Sequence, residues 1–81
     1  MRQGIRMNLK QAVAVAKQEV NHLFAPDAPQ NVRLEQFLYD DHLAVWSLTI
    51  GFALPDHPKA RTYKIVRVSE TDKSVLSIRD R

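Results

Sequence analysis

L-A-V-W-S-L-T-I-G-F, residues Leu43 to Phe52, alternates bulky and small side chains with the two-residue period of a β-strand. Trp46, Leu48, Ile50 and Phe52 fall on one side, and Val45, Ser47, Thr49 and Gly51 on the other. A strand so lopsided buries its heavy side, and the residues before it supply something to bury it against. From Leu9 to Phe24, apolar positions at Leu9, Ala12, Val13, Ala16, Val20, Leu23 and Phe24 make one stripe at helical spacing, with Val15 as a flank contact. Asn8 with Gln11 three residues on is a capping box, and Ala25-Pro26-Asp27-Ala28-Pro29 stops the helix.

Outward from that pair the period stays near two. Val32 to Tyr39 reads as a strand whose alternation slips, and a bulge near Glu35-Gln36 would bring Leu34, Phe37 and Tyr39 to one face. Asp40-Asp41-His42 is a hairpin turn, and Leu54-Pro55-Asp56-His57-Pro58-Lys59 reads as a loop by its prolines. Arg61 to Val68 makes a third strand, Glu70-Thr71-Asp72-Lys73 a turn, and Ser74 to Arg79 a fourth strand. The expected fold is therefore α+β: one N-terminal helix packed on a four-stranded antiparallel meander, in the order αββββ. With 81 residues there is one domain, 1–81, whose segment 1–7 is expected to be flexible or loosely attached.

One apolar stripe covers one sheet face. The other is open, and it is the expected partner surface. From the second strand it carries Val45, Ser47 and Thr49. The third strand is apolar on both sides, so it adds either Tyr63 and Ile65 or Lys64 and Val66. Surplus apolar strand residues point to a second layer supplied by a protein partner or another copy. The alternative is a bulged strand that turns them all inward.

The order of elements, with W-S-L-T-I-G-F (Trp46 to Phe52), R-T-Y-K-I-V-R-V (Arg61 to Val68) and V-L-S-I-R (Val75 to Arg79), resembles the PepSY-like group of small α+β modules over Leu9 to Arg79. The resemblance implies a non-enzymatic accessory module of the kind associated with regulating or inhibiting peptidases, with no catalytic residues to carry over. Such modules are usually exported or membrane-attached and commonly turn their last hairpin through a glycine; here that turn has Asp72-Lys73.

Other chemistry finds little footing. There is no cysteine, so disulfides and thiolate zinc sites are excluded. His22, His42 and His57 have no ligand spacing, and Asp40, Asp41 and Asp56 beside two of them are ordinary turn residues, so neither metal nor cofactor is expected. Ser47, Ser69, Ser74 and Ser77 lie in no nucleophile motif, and Gly4 and Gly51 cannot make a phosphate loop. No enzyme is expected. The apolar run needed to span a bilayer is missing, and no export signal is read, so the expected location is cytoplasmic.

A net charge of +3 leaves nucleic acid as the rival partner, through Arg61, Lys64, Arg67 and Arg79, with Arg81 in the same basic cluster and Tyr63 to stack on a base. Lys64 has the opposite parity to Arg61 and Arg67, and basic residues on outer strands also block edge pairing, which is the favoured explanation. The leading expectation is a protein-interaction or accessory module acting through the open face or an edge strand.

Overall fold

A computed structural model describes residues 7–81. Helix α1 (Leu9–Leu23) and a short 3-10 turn (Ala25–Asp27) precede strands β1 (Gln30–Asp40), β2 (Val45–Leu54), β3 (His57–Ser69) and β4 (Val75–Asp80). The strands pair antiparallel in one sheet, in the order β1-β2-β3-β4. The αββββ meander is the fold.

Both halves of the capping box form. The Asn8 side chain accepts from the Gln11 amide at 2.8 Å, and the Gln11 side chain accepts from the Asn8 amide at 2.9 Å. Each bond satisfies a donor that a helix start or its approach leaves unpaired. α1 then lies on the sheet through Ala12, Ala16 and Val20, all fully buried. Two alanines let the helix approach closely, and Leu48, Ile50 and Phe52 of β2 with Val66 and Val68 of β3 fill the layer beneath. Phe24 closes the far end against Phe52, ring centroids 5.1 Å apart. Leu23, expected on the stripe, is instead 50% exposed. It is the last residue of α1, next to the Phe24 cap.

Segment 1–7 needs correction at its last residue. Met7 is buried in the core, and its carbonyl accepts from the Trp46 indole at 3.3 Å. Residues 1–6 lie outside the described residues. The expected loop Leu54 to Lys59 is shorter than its prolines suggest. Only Pro55 and Asp56 turn; His57 already pairs with Leu54, and Pro58 to Ala60 bulge out before Arg61 pairs with Ala53. Pro58 has no amide to give the ladder, so the ladder skips it.

β1 carries two irregularities, one between Gln30 and Arg33 and one between Leu34 and Gln36. The second leaves Glu35 unpaired, as expected, and sets Leu34, Phe37 and Tyr39 opposite Ile50, Leu48 and Trp46 on the helix side. Tyr39 stacks against Trp46 at 4.6 Å, and its hydroxyl donates to Glu70 at 2.7 Å. That bond joins the β1–β2 and β3–β4 turns, as does the Glu70 amide donating to the Ala44 carbonyl at 2.9 Å.

In the β3–β4 turn, Lys73 takes the left-handed conformation that a glycine would otherwise supply, with φ 57°. Its amide donates to Ser69 O, and Ser69 Oγ accepts from the Asp72 amide, so the turn is held from both sides. A side chain in that conformation is strained, and glycine relieves it at the expense of a more disordered unfolded chain. Lys73→Gly is expected to raise stability by ~0.5–1 kcal/mol in a denaturant titration. A lower midpoint would show that the lysine side chain contributes more than its backbone loses.

Candidate functional site

The register settles which side each strand residue takes. Opposite residues in an antiparallel pair share a face. Val45, Ser47, Thr49, Gly51 and Ala53 of β2 stand opposite Ser69, Arg67, Ile65, Tyr63 and Arg61 of β3. All ten therefore lie on the side away from α1. β1 adds Arg33, Gln36 and Leu38 to this outer face, and β4 adds Ser77 and Arg79.

Five of the six expected partner-surface residues, Val45, Ser47, Thr49, Tyr63 and Ile65, thus come together. Val66 does not. It pairs with Leu48 and Ile78 and is fully buried beneath α1, because β3 turns its valines to the helix and its tyrosine and isoleucine outward. Val45 and Thr49 are also well buried, although no described element packs over this face; Thr49 stands between Gln36 of β1 and Ile65 of β3.

That placement gives the face its shape. β2 contributes small residues, while its neighbours contribute Gln36, Leu38, Tyr63, Ile65 and Arg67. Small residues between large ones make a trough along the central strand. One part of it, a hollow of about 230 Å³, is lined by Gln36, Phe37, Leu38, Ser47, Thr49, Ile65, Arg79 and Arg81. Leu38, 68% exposed, stands at its rim, while the Phe37 ring lies on the helix side, 6.4 Å from Trp46.

Further along, the trough is closed. Gly51 has no side chain, so the Glu35 carboxylate and the Tyr63 ring meet above it; a Cβ there would stand 2.6 Å from Glu35 Oε2 and 3.0 Å from Tyr63 Cε1. Glu35, freed from the ladder by the bulge, accepts from Arg33 Nε at 3.1 Å and Arg61 Nη2 at 3.2 Å. Arg61 also donates to the Asn31 carbonyl at 2.9 Å.

The four basic residues considered for nucleic acid separate accordingly. Arg61 is tied to Glu35, and Lys64 lies on the helix side, paired with Asp80 and 5.4 Å above the Phe24 ring. Arg67 and Arg79 remain on the outer face without an ion pair among the described residues. Arg81, which belongs to the same basic cluster in the sequence, joins them: its guanidinium stacks on Tyr63, 4.3 Å from the ring centroid. Gln36 and Leu38 are the additions to this face that the sequence reading does not reach; continuing the alternation past the bulge finds them.

A second hollow, about 360 Å³, lies between α1 and the β3–β4 turn and is lined by Val15, Gln18, Glu19, His22, Lys73, Ser74 and Val75. Its charged groups carry both signs and do not converge. Among the described residues no three of His, Asp and Glu gather as metal ligands, and no helix is long and apolar enough to cross a membrane. No family model, curated protein or solved structure matches the chain.

The electrostatics at the closed end have a pH signature. Arg33, through its hydrogen bond and its charge, holds the Glu35 carboxyl below its ordinary value of 4.5, partly opposed by desolvation and reinforced by Arg61. The native carboxylate therefore keeps its charge to lower pH than the unfolded one. Its stabilisation is present above 4.5 and is lost as pH falls through the lowered native value. Glu35→Gln is expected to be less stable than the parent at neutral pH, with the two denaturation midpoints converging in acid. A gap that stays constant into acid would mean the carboxylate charge is not what stabilises this end.

Proposed function

We propose that this chain is a non-enzymatic, cytoplasmic interaction module that docks a partner protein on the outer face of its sheet. One observation carries the reading: α1 roofs the helix side, while no described element covers the trough over Ser47, Thr49 and Ile65. A hollow smaller than the ~300–1,000 Å³ of small-molecule sites suits a partner's side chains better than a metabolite. The resemblance to PepSY-like modules supplies the class, an accessory or regulatory role. Nucleic acid is the weaker reading, since two of its four candidate cations already have carboxylate partners. Photo-crosslinking from position 65, compared with position 18 on the exposed side of α1, tests the docking face. A discrete protein adduct formed only from position 65 is expected. Equal labelling from both positions, or adducts lost on nuclease treatment, would overturn it.

A second reading has its own support. β1 is an edge strand, and beyond the Glu35 bulge its stretch Gln36 to Asp40 pairs regularly with β2 and presents Phe37 and Leu38. Such an edge invites pairing with another copy. Sedimentation at micromolar concentration is expected to show a dimer that Leu38→Lys dissociates; a monomer throughout would remove self-association.

A further inference from the structure

Thr49 places a hydroxyl at the centre of the sheet, and that hydroxyl makes no hydrogen bond among the described residues. It is not sealed off: the buried side-chain polar atom left without a partner among the described residues is Arg61 Nε. Thr49 lines the floor of the trough, with Ser47 beside it and Arg79 and Arg81 in the wall.

Positive charge is concentrated around it. Arg67 stands opposite Ser47 and Ser77, Arg79 opposite Ile65, so the two arginines are diagonal neighbours on adjacent strands. Arg81 is braced against Tyr63. None of the three has an ion pair among the described residues. The acids nearby are otherwise engaged: Glu35 by Arg33 and Arg61, Asp80 by Lys64 on the opposite face, and Asp40 as acceptor for the His42 and Leu43 amides. Beside the arginines, Leu38 and Ile65 offer an apolar wall.

We propose that the trough receives an extended acidic segment of a partner protein. A carboxylate seats at Thr49, taking a hydrogen bond from its hydroxyl and the charge of Arg79 and Arg81, while an adjacent apolar side chain lies between Leu38 and Ile65. The proposal rests on the docking-face reading above and names its chemistry. Charge complementarity favours this occupant over a second copy stacked face to face, which would set Arg67, Arg79 and Arg81 against their own images. It also favours protein over nucleic acid, because the Tyr63 ring beside the arginines is already covered by Arg81 and so is not free for a base.

The test is titration of the whole chain with a short peptide of alternating glutamate and leucine, a matching lysine–leucine peptide and a thymidine oligonucleotide. The acidic peptide alone is expected to bind saturably. Arg79→Gln should weaken it about tenfold or more. Thr49→Val, nearly the same shape without the hydroxyl, should weaken it several-fold while leaving the unfolding midpoint unchanged or higher. Lys10→Gln on α1 should change nothing. Equal affinity in Arg79→Gln and Thr49→Val, or tighter binding of the oligonucleotide, overturns the acidic-segment proposal. If the lysine–leucine peptide binds instead and Ile65→Lys abolishes it, the chemistry is wrong and the docking face survives. If no peptide binds and crosslinks from position 65 are also absent, both fall together.

Discussion

α1 meets the sheet through Ala12, Ala16 and Val20, none with any exposed surface, and a helix has only one such stripe to offer. Beneath it, Leu48, Ile50, Phe52, Val66 and Val68 are equally dry. Burying a side chain of that kind is worth ~1.5–3 kcal/mol, and this layer is where the chain collects most of its apolar burial. Everything else follows from its being one-sided. A single stripe commits β2 to a heavy side and a light side, and the light side manages without a layer among the described residues.

It manages through size contrast and charge. β2 places valine, serine, threonine, glycine and alanine outward, and the longer residues of β1 and β3 fold over them. At Gly51 that closure is complete, because the missing Cβ lets Glu35 and Tyr63 meet. The bulge that frees Glu35 is the same irregularity that keeps Leu34 and Phe37 both on the helix side. One extra residue thus serves core and surface together. Without it, either Leu34 or Phe37 would face outward, and the Arg33–Glu35–Arg61 arrangement would lose its carboxylate.

Much of this was legible beforehand, for identifiable reasons. Trp46 to Phe52 alternates without a break, so its inward face could be read directly, and the capping box at Asn8 and Gln11 is a local motif that tertiary packing did not override. β3 was not legible: Tyr63 and Ile65 are as apolar as Val66 and Val68, and only the register against β2 puts the valines inside. Pattern alone therefore leaves Val66 open to either surface, and the register puts it inside rather than on the partner face. Lys64 shows the converse. Its parity did place it apart from Arg61 and Arg67, but its ion pair with Asp80 crosses strands and has no sequence signature. Lys73 in a left-handed turn was equally hidden, since its conformation is imposed by the hydrogen bonds to Ser69 rather than by its own preference.

The arginines on the outer face answer two demands at once. An uncovered sheet face is an aggregation hazard, and like charges spread across it keep copies apart. Arg67 and Arg79 would do this from anywhere on the surface. Their position does something more, because they adjoin the Thr49 and Ser47 side chains in the floor of the trough. A surface that receives a carboxylate has a use for those hydroxyls: the donors are already in place, and the neighbouring cations supply the charge. The same arginines that repel another copy stacked on this face would then admit an acidic partner, so protection and selectivity arise from one arrangement of charge.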